Sequence, residues 1–120
     1  MKRSTRELVL EAIDVLQIFE AGQPVPAENY AKVKGKVLGL LAALRGARVF
    51  DVFVSPVDED SQDIPDYAFD GLAIALANEA ATCFGLEKDL NPNRPGGAWQ
   101  HLKVSIHVGA DDPAPPGEYF

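Results

Sequence analysis

The segment that most constrains the fold is an alanine-dense stretch at positions 63–85, DIPDYAFDGLAIALANEAATCFG. A proline near its start and a glycine at its end are typical helix boundaries, and Phe69, Leu72, Leu76 and Ala80 repeat at helical spacing between them. The pattern therefore predicts a helix over 65–84. Because alanine side chains are short, other backbones can approach this helix closely on more than one side. We expect it to serve packing.

An earlier helix is predicted over 5–20. Ser4 and Glu7 have the spacing of a capping box, in which the serine hydroxyl accepts a backbone N–H and the glutamate reaches back to the cap. Apolar residues then recur at helical spacing, and Gly22 followed by Pro24 is a typical stop signal.

A second helix is predicted over 26–45, beginning at Pro26 and ending before Gly46. Gly35 and Gly39 lie four residues apart within it, each costing about 1 kcal/mol relative to alanine. Their spacing fits either a close helix crossing or simple tolerance of small residues, and the pattern does not choose between the two.

Two segments have the pattern of β-strands. One lies near 48–54 and is rich in β-branched and aromatic residues. The other covers 99–108, where apolar residues alternate with polar ones. The two strands would pair with each other, or the second would pair with another chain. The expected fold class is mainly α: a three-helix, or up to four-helix, bundle with a small two-strand β element and an extended C-terminal tail.

Composition indicates two parts of unequal size. Residues 1–88 form the predicted helical domain, and residues 89–120 comprise a proline- and glycine-rich linker, the strand over 99–108 and a proline-rich C-terminal arm. The terminal aromatic pair fits an anchor for a neighbouring surface or an unanchored end. The candidate partner-contact residues are Trp99, Leu102, Val104, Ile106, Tyr119 and Phe120.

Length and charge exclude several classes of protein. A chain of 120 residues is near the commonest size of a single domain. The formal net charge of −7 argues against a nucleic-acid grip, which needs clustered Lys and Arg. The single cysteine excludes an internal disulfide. No signal peptide or membrane span is recognisable, so a cytosolic origin is the expectation.

The residues that carry chemistry in other proteins are scattered here. The acidic loop at 55–63 lacks the spacing and central glycine of a calcium loop, so we expect a solvated, self-repelling loop. Cys83, at a helix C-terminus, is interpreted as a small core residue. His101 and His107 would lie about 20 Å apart on a strand, too far to share a metal. We therefore predict no catalytic residue, no metal and no cofactor.

Residues 6–85 resemble the head-to-tail adaptor proteins of tailed bacteriophages, also called connector or head-completion proteins. The resemblance lies in an ordered series of short features, of which no single one is diagnostic. The chain departs from the pattern at Val25-Pro26, where family members often have a Ser or Thr cap, and the resemblance does not extend to 99–120. The features are ELVLEAIDVL at 7–16, AGQP at 21–24, LLAAL at 40–44, IPDYAF at 64–69, LAIALAN at 72–78 and FGL at 84–86.

The resemblance implies a structural virion protein located at the head-to-tail interface and, during assembly, in the host cytoplasm. By the same resemblance, copies of the chain would form a ring, commonly of about twelve. The ring would dock on the portal protein and receive a tail or stopper protein, while DNA passes through its centre. An acidic lumen would repel phosphate and let the DNA slide.

Two other classes remain open. One is a small host-encoded acidic protein with an interaction or regulatory role and no catalytic activity. The other is an enzyme, for which the candidates Cys83, His101 and His107 fall in different elements without a supporting motif. The oligomeric state separates the adaptor from the acidic regulatory protein. A large ring, or a monomer that assembles only on the portal, favours the adaptor, whereas a tight dimer favours the regulatory protein.

Overall fold

The computed structural model describes residues 2–17, 24–51 and 58–111, with side chains as far as residue 105. Over these residues the chain is mainly helical and carries a two-stranded antiparallel sheet, which confirms the predicted fold class. A 3-10 turn, Ala81–Phe84, follows the fourth helix. The elements in chain order are β1 (Lys2–Arg3), α1 (Thr5–Leu16), α2 (Ala27–Lys34), α3 (Val37–Gly46), β2 (Ile64–Pro65), α4 (Asp66–Ala80) and α5 (Gln100–Asp111).

The start of α1 is the predicted capping box. The Ser4 hydroxyl accepts the Glu7 backbone N–H at 3.2 Å, and the Glu7 carboxylate accepts the Ser4 backbone N–H at 3.2 Å. The helix ends at Leu16, because Gln17 takes the left-handed conformation with φ of 55°. It is thus shorter than the predicted 5–20, and the predicted stop at Gly22 lies outside the described residues.

The helix predicted over 26–45 is two helices, α2 and α3. The chain leaves the α-helical path at Gly35 and Lys36, where the Lys36 N–H bonds to the Val33 carbonyl at 3.0 Å. This three-residue spacing tightens the last turn of α2. Because glycine is a weak helix former, the break falls where helical continuation is least favoured. The buried side chains of the two helices are Val33, Val37, Leu40, Leu41 and Leu44.

Helix α4 is the centre of the fold and packs against α1, α2, α3 and α5. It occupies most of the predicted helix over 65–84, and the chain closes at Gly85 in the left-handed conformation with φ of 73°. A Cβ on Gly71 would lie only 2.4 Å from the Leu102 Cα atom, so α5 crosses α4 in direct backbone contact. The small residues of α4 therefore serve packing, as expected, and they pack the chain's own helices.

The two-stranded sheet is formed by segments other than those predicted. β1 and β2 pair antiparallel, with Lys2 opposite Pro65 and Arg3 opposite Ile64. The strand predicted near 48–54 is wrong at 48–51, which form a turn and irregular backbone, with Arg48 in the left-handed conformation at φ of 59°. Positions 52–54 lie outside the described residues.

The strand predicted over 99–108 is also wrong, because Gln100–Asp111 is helix α5. On a strand, Leu102 and Val104 would share a face, whereas on the helix they point to different sides. Leu102 is buried and Val104 is 53% exposed, as a helix requires. The helical spacing of three residues brings Trp99 and Leu102 together onto α4, and this tertiary contact overrides the local alternation.

Candidate functional site

The six residues for which partner contacts were predicted do not form one surface. Trp99 and Leu102 are buried in the same core as α1 and α4, so neither is available to a partner while the chain stays folded. Val104 is exposed on α5. The other three lie outside the residues whose side chains are described: Ile106, Tyr119 and Phe120.

The segment before α5 explains why Trp99 lies in the core. Asn78 of α4 accepts the Asp89 backbone N–H at 2.7 Å and donates to the Asp89 carbonyl at 3.2 Å. The Asp89 carboxylate accepts the Ala98 backbone N–H at 3.0 Å and lies 3.4 Å from the Arg94 guanidinium. The predicted linker contains no helix or strand, in agreement with its composition. These hydrogen bonds nevertheless hold it against α4 and place Trp99 directly before α5.

The described part of the acidic loop is partly solvated, as expected, since Asp58 and Asp60 are exposed. It is not simply self-repelling, because Glu59 and Asp60 are paired with cations of the helices. The Glu59 side chain is only 16% exposed. Its carboxylate lies 3.1 Å from the Arg6 guanidinium, accepts the Tyr30 hydroxyl at 3.1 Å and pairs with Lys34. Asp60 accepts a hydrogen bond from Arg6 at 2.8 Å. Cations on α1 and α2 thus compensate the carboxylates of Glu59 and Asp60.

These contacts shift the pKa values of the groups involved. The hydrogen bond from Lys34 is the main cause that lowers the pKa of the Glu59 carboxyl, and the Tyr30 hydroxyl acts in the same direction. Burial, and next the hydrogen bond to Glu59, raise the pKa of Tyr30 to about 12. At neutral pH the carboxylate is therefore ionised and the phenol protonated. Such a cluster fastens the loop to the helices.

A second cluster surrounds Arg3 where the sheet meets the helices. The Arg3 Nε donates to the Glu7 carboxylate at 2.7 Å, and its guanidinium lies 3.8 Å from the Asp66 carboxylate. The same guanidinium lies 4.0 Å from the centre of the Phe69 ring, in cation–π contact. Arg3 therefore links β1, α1 and α4, and its role is structural.

In the described part of the chain, no group of three or more His, Cys, Asp or Glu residues could hold a metal ion. Cys83 is a half-buried free thiol. A His101 ring nitrogen lies 3.4 Å from the Ser105 hydroxyl on exposed α5, at the long limit of a hydrogen bond.

A cleft of about 320 Å³ lies at the C-terminal end of α3. Its lining has both signs of charge, since Arg45 donates to Asp51 at 3.0 Å while Arg48 lies beside them. Positions 52–57, which follow the lining residue Asp51 in the sequence, are outside the described residues. We therefore assign no ligand to it.

The surface that sequence reasoning missed is the outward side of α3, here called the α3 face. The residues of this face carry no charge, and Leu38 among them is 54% exposed. The exposed Arg45 borders the face, three residues after Ala42, and is paired with Asp51 at 3.0 Å. Helices at a protein surface ordinarily turn polar side chains outward, so an uncharged exposed face is unusual. The signal was present in the segment VLGLLAALRG, whose only charged residue is Arg45. The α3 face consists of Leu38, Gly39, Ala42, Ala43 and Gly46.

Among the described residues, no helix is both long enough and apolar enough to cross a bilayer. Comparison with known protein families, with curated proteins and with solved structures finds no match for this chain.

Proposed function

We propose that this protein is a structural subunit of the head-to-tail adaptor ring of a tailed bacteriophage. In this role, copies of the chain form a ring that docks on the portal protein and receives a tail or stopper protein. The proposal rests on the ordered sequence features between residues 6 and 85. The structural observation that supports it best is the uncharged α3 face, because a subunit of a larger assembly needs an apolar surface left over after its own core is filled.

The packing of α4 narrows where subunit contacts would lie. The alanines of this helix are covered by α1, α2, α3 and α5 of the same chain. Contacts between subunits therefore fall to the outer helix surfaces. Leu38 on α3 and Leu10 on α1 are exposed apolar side chains on such surfaces.

The charge of the chain is compatible with a ring that surrounds DNA. At a net charge of −7, the subunits would repel the phosphate backbone. A protein that holds DNA would need the opposite balance, whereas a conduit for DNA benefits from weak adhesion.

The decisive experiment measures assembly. The purified full chain is examined by native mass spectrometry and negative-stain electron microscopy, alone and mixed with the portal protein encoded nearest to its gene. We expect a ring, or a ring that forms on the portal. A portal protein from an unrelated phage is the control and should recruit nothing. A chain that remains monomeric both alone and in the presence of its own portal protein would overturn the proposal.

The alternative, a small acidic interaction or regulatory protein, has less support. Such a protein would present free carboxylates to a basic partner. Glu59 and Asp60 of the acidic loop are paired with cations of α1 and α2, so Glu11 and Asp14 on α1 would serve that purpose instead. A tight dimer that ignores the portal in the same experiment would favour this alternative.

A further inference from the structure

Two exposed helix faces of this chain differ in charge: cations flank one of them, and carboxylates lie within the other. The α3 face is flanked by Lys36 at its start and by Arg48 just after its end, both exposed. Neither cation has an ion-pair partner in the part of the chain that the structure describes. The uncharged centre of the α3 face thus lies between two available positive charges.

The outward side of α1, here called the α1 face, has the complementary pattern. Leu10 and Val15 are 42% and 41% exposed. They are interleaved with Glu11 and Asp14, which likewise have no ion-pair partner among the described residues. Since residues three and four apart on a helix are neighbours, these four side chains form one patch. It combines an apolar pair with two carboxylates.

The two faces also match in shape. On the α3 face, a Cβ added to Gly39 or Gly46 would meet nothing within 4 Å, so the outer surface there is shallow. A shallow helix surface admits a second helix at the short end of the usual interaxial range of about 8–10 Å. Leu10, projecting from α1, is the kind of side chain that fills such a surface.

We propose that the α3 face of one copy packs against the α1 face of the next copy in the assembly. This contact rests on the proposed ring function and specifies how its subunits meet. Contact of α3 with α3 would instead bring Lys36 and Arg48 of two copies together, and contact of α1 with α1 would oppose their carboxylates. Charge therefore favours the head-to-tail arrangement. Head-to-tail contacts leave one open face at each end until the chain of copies closes into a ring.

Disulfide cross-linking tests the contact directly. In a Cys83→Ser background, one variant carries Ala42→Cys on the α3 face and another carries Leu10→Cys on the α1 face. The control carries Leu90→Cys, on a loop leucine that is 87% exposed. Under mild oxidation we expect a covalent dimer when the first two variants are mixed, and little product from either alone or from mixtures with the control. A chain carrying both Ala42→Cys and Leu10→Cys should give a ladder that ends at the ring size.

The outcomes separate this inference from the proposed function. If rings form, alone or on the portal, but Ala42→Cys links to itself or links no better to Leu10→Cys than to the control, the contact is wrong while the adaptor function stands. A chain that neither assembles nor cross-links overturns both. Far-UV circular dichroism of each variant verifies that the helices are intact.

A charge reversal provides an independent measurement. Asp14→Lys should weaken association of the subunits about fivefold, as expected for replacing one exposed attraction by a repulsion. Glu87→Lys makes the same change of charge on an exposed loop residue and should leave association unchanged. Added salt should weaken the wild-type assembly and have less effect on Asp14→Lys. Equal effects of the two substitutions would contradict the proposed contact.

Discussion

The substitution Gly71→Ala tests the packing on which this fold depends. A methyl group at this position would lie 2.4 Å from the Leu102 Cα and 2.8 Å from its Cβ and backbone nitrogen. Since carbon atoms pack at about 3.5–4.0 Å, α5 would have to retreat by more than about 1 Å. The obstacle is backbone, so no side-chain rotation relieves it.

Two opposing effects set the magnitude. Alanine is favoured over glycine in a helix interior by about 1 kcal/mol. Overpacking of a filled core costs about 1–3 kcal/mol, and a backbone clash belongs at the upper end of that range or above it. We therefore expect the free energy of unfolding to fall by about 2 kcal/mol, the difference between the two effects.

Urea denaturation measures this change, and the chain contains its own probe. Trp99 is the only tryptophan, is buried, and lies where α5 docks, so its fluorescence reports on that contact. Far-UV circular dichroism reports on the helices as a whole. In Gly71→Ala we expect a lower urea midpoint together with altered Trp99 emission in the folded state.

Gly39→Ala is the matched control. Gly39 also lies within a helix, but a Cβ there would meet nothing within 4 Å. This substitution should raise the unfolding free energy by about 0.5–1 kcal/mol through helix propensity alone. If Gly71→Ala is stabilised to the same extent and its Trp99 emission is unchanged, the proposed α4–α5 crossing is refuted.

Four further substitutions test other contacts. Leu102→Ala should lower the unfolding free energy by about 2–5 kcal/mol in the same urea assay, whereas Val104→Ala should change it by less than about 0.5 kcal/mol; equal losses would indicate a strand. Asn78→Ala should cost about 1–3 kcal/mol, because two backbone groups of Asp89 lose their partner, and amide exchange at Asp89 should accelerate. Since the pKa of Glu59 is lowered in the folded state, its contribution to stability is present above its ordinary pKa of about 4.3 and is lost as the pH falls through the folded value. The melting temperature of the wild type should therefore fall more steeply on acidification than that of Glu59→Gln, and parallel curves would contradict this role.

The features that local interactions decide could be predicted from the sequence. The capping box of Ser4 and Glu7 forms within four residues, and the helix before Gly85 has start and stop signals of its own. The α3 face could also have been predicted, because a helix with one charged residue in ten has too few polar side chains to cover its solvent side. The break at Gly35 had a weak local signal, which did not distinguish one helix from two.

The helical class of the chain and the start and stop signals of the central helix follow from local sequence patterns. The helical state of 100–111 instead depends on a tertiary contact with α4, where the missing side chain of Gly71 makes room for the backbone of Leu102. The pairing of β1 with β2 was equally hidden, since two-residue strands are too short to show a period. Likewise, Glu59 is compensated by cations on α1 and α2 that are distant in sequence. A sequence pattern indicates which secondary structures a segment can adopt. The surface against which the segment packs determines which of them it adopts.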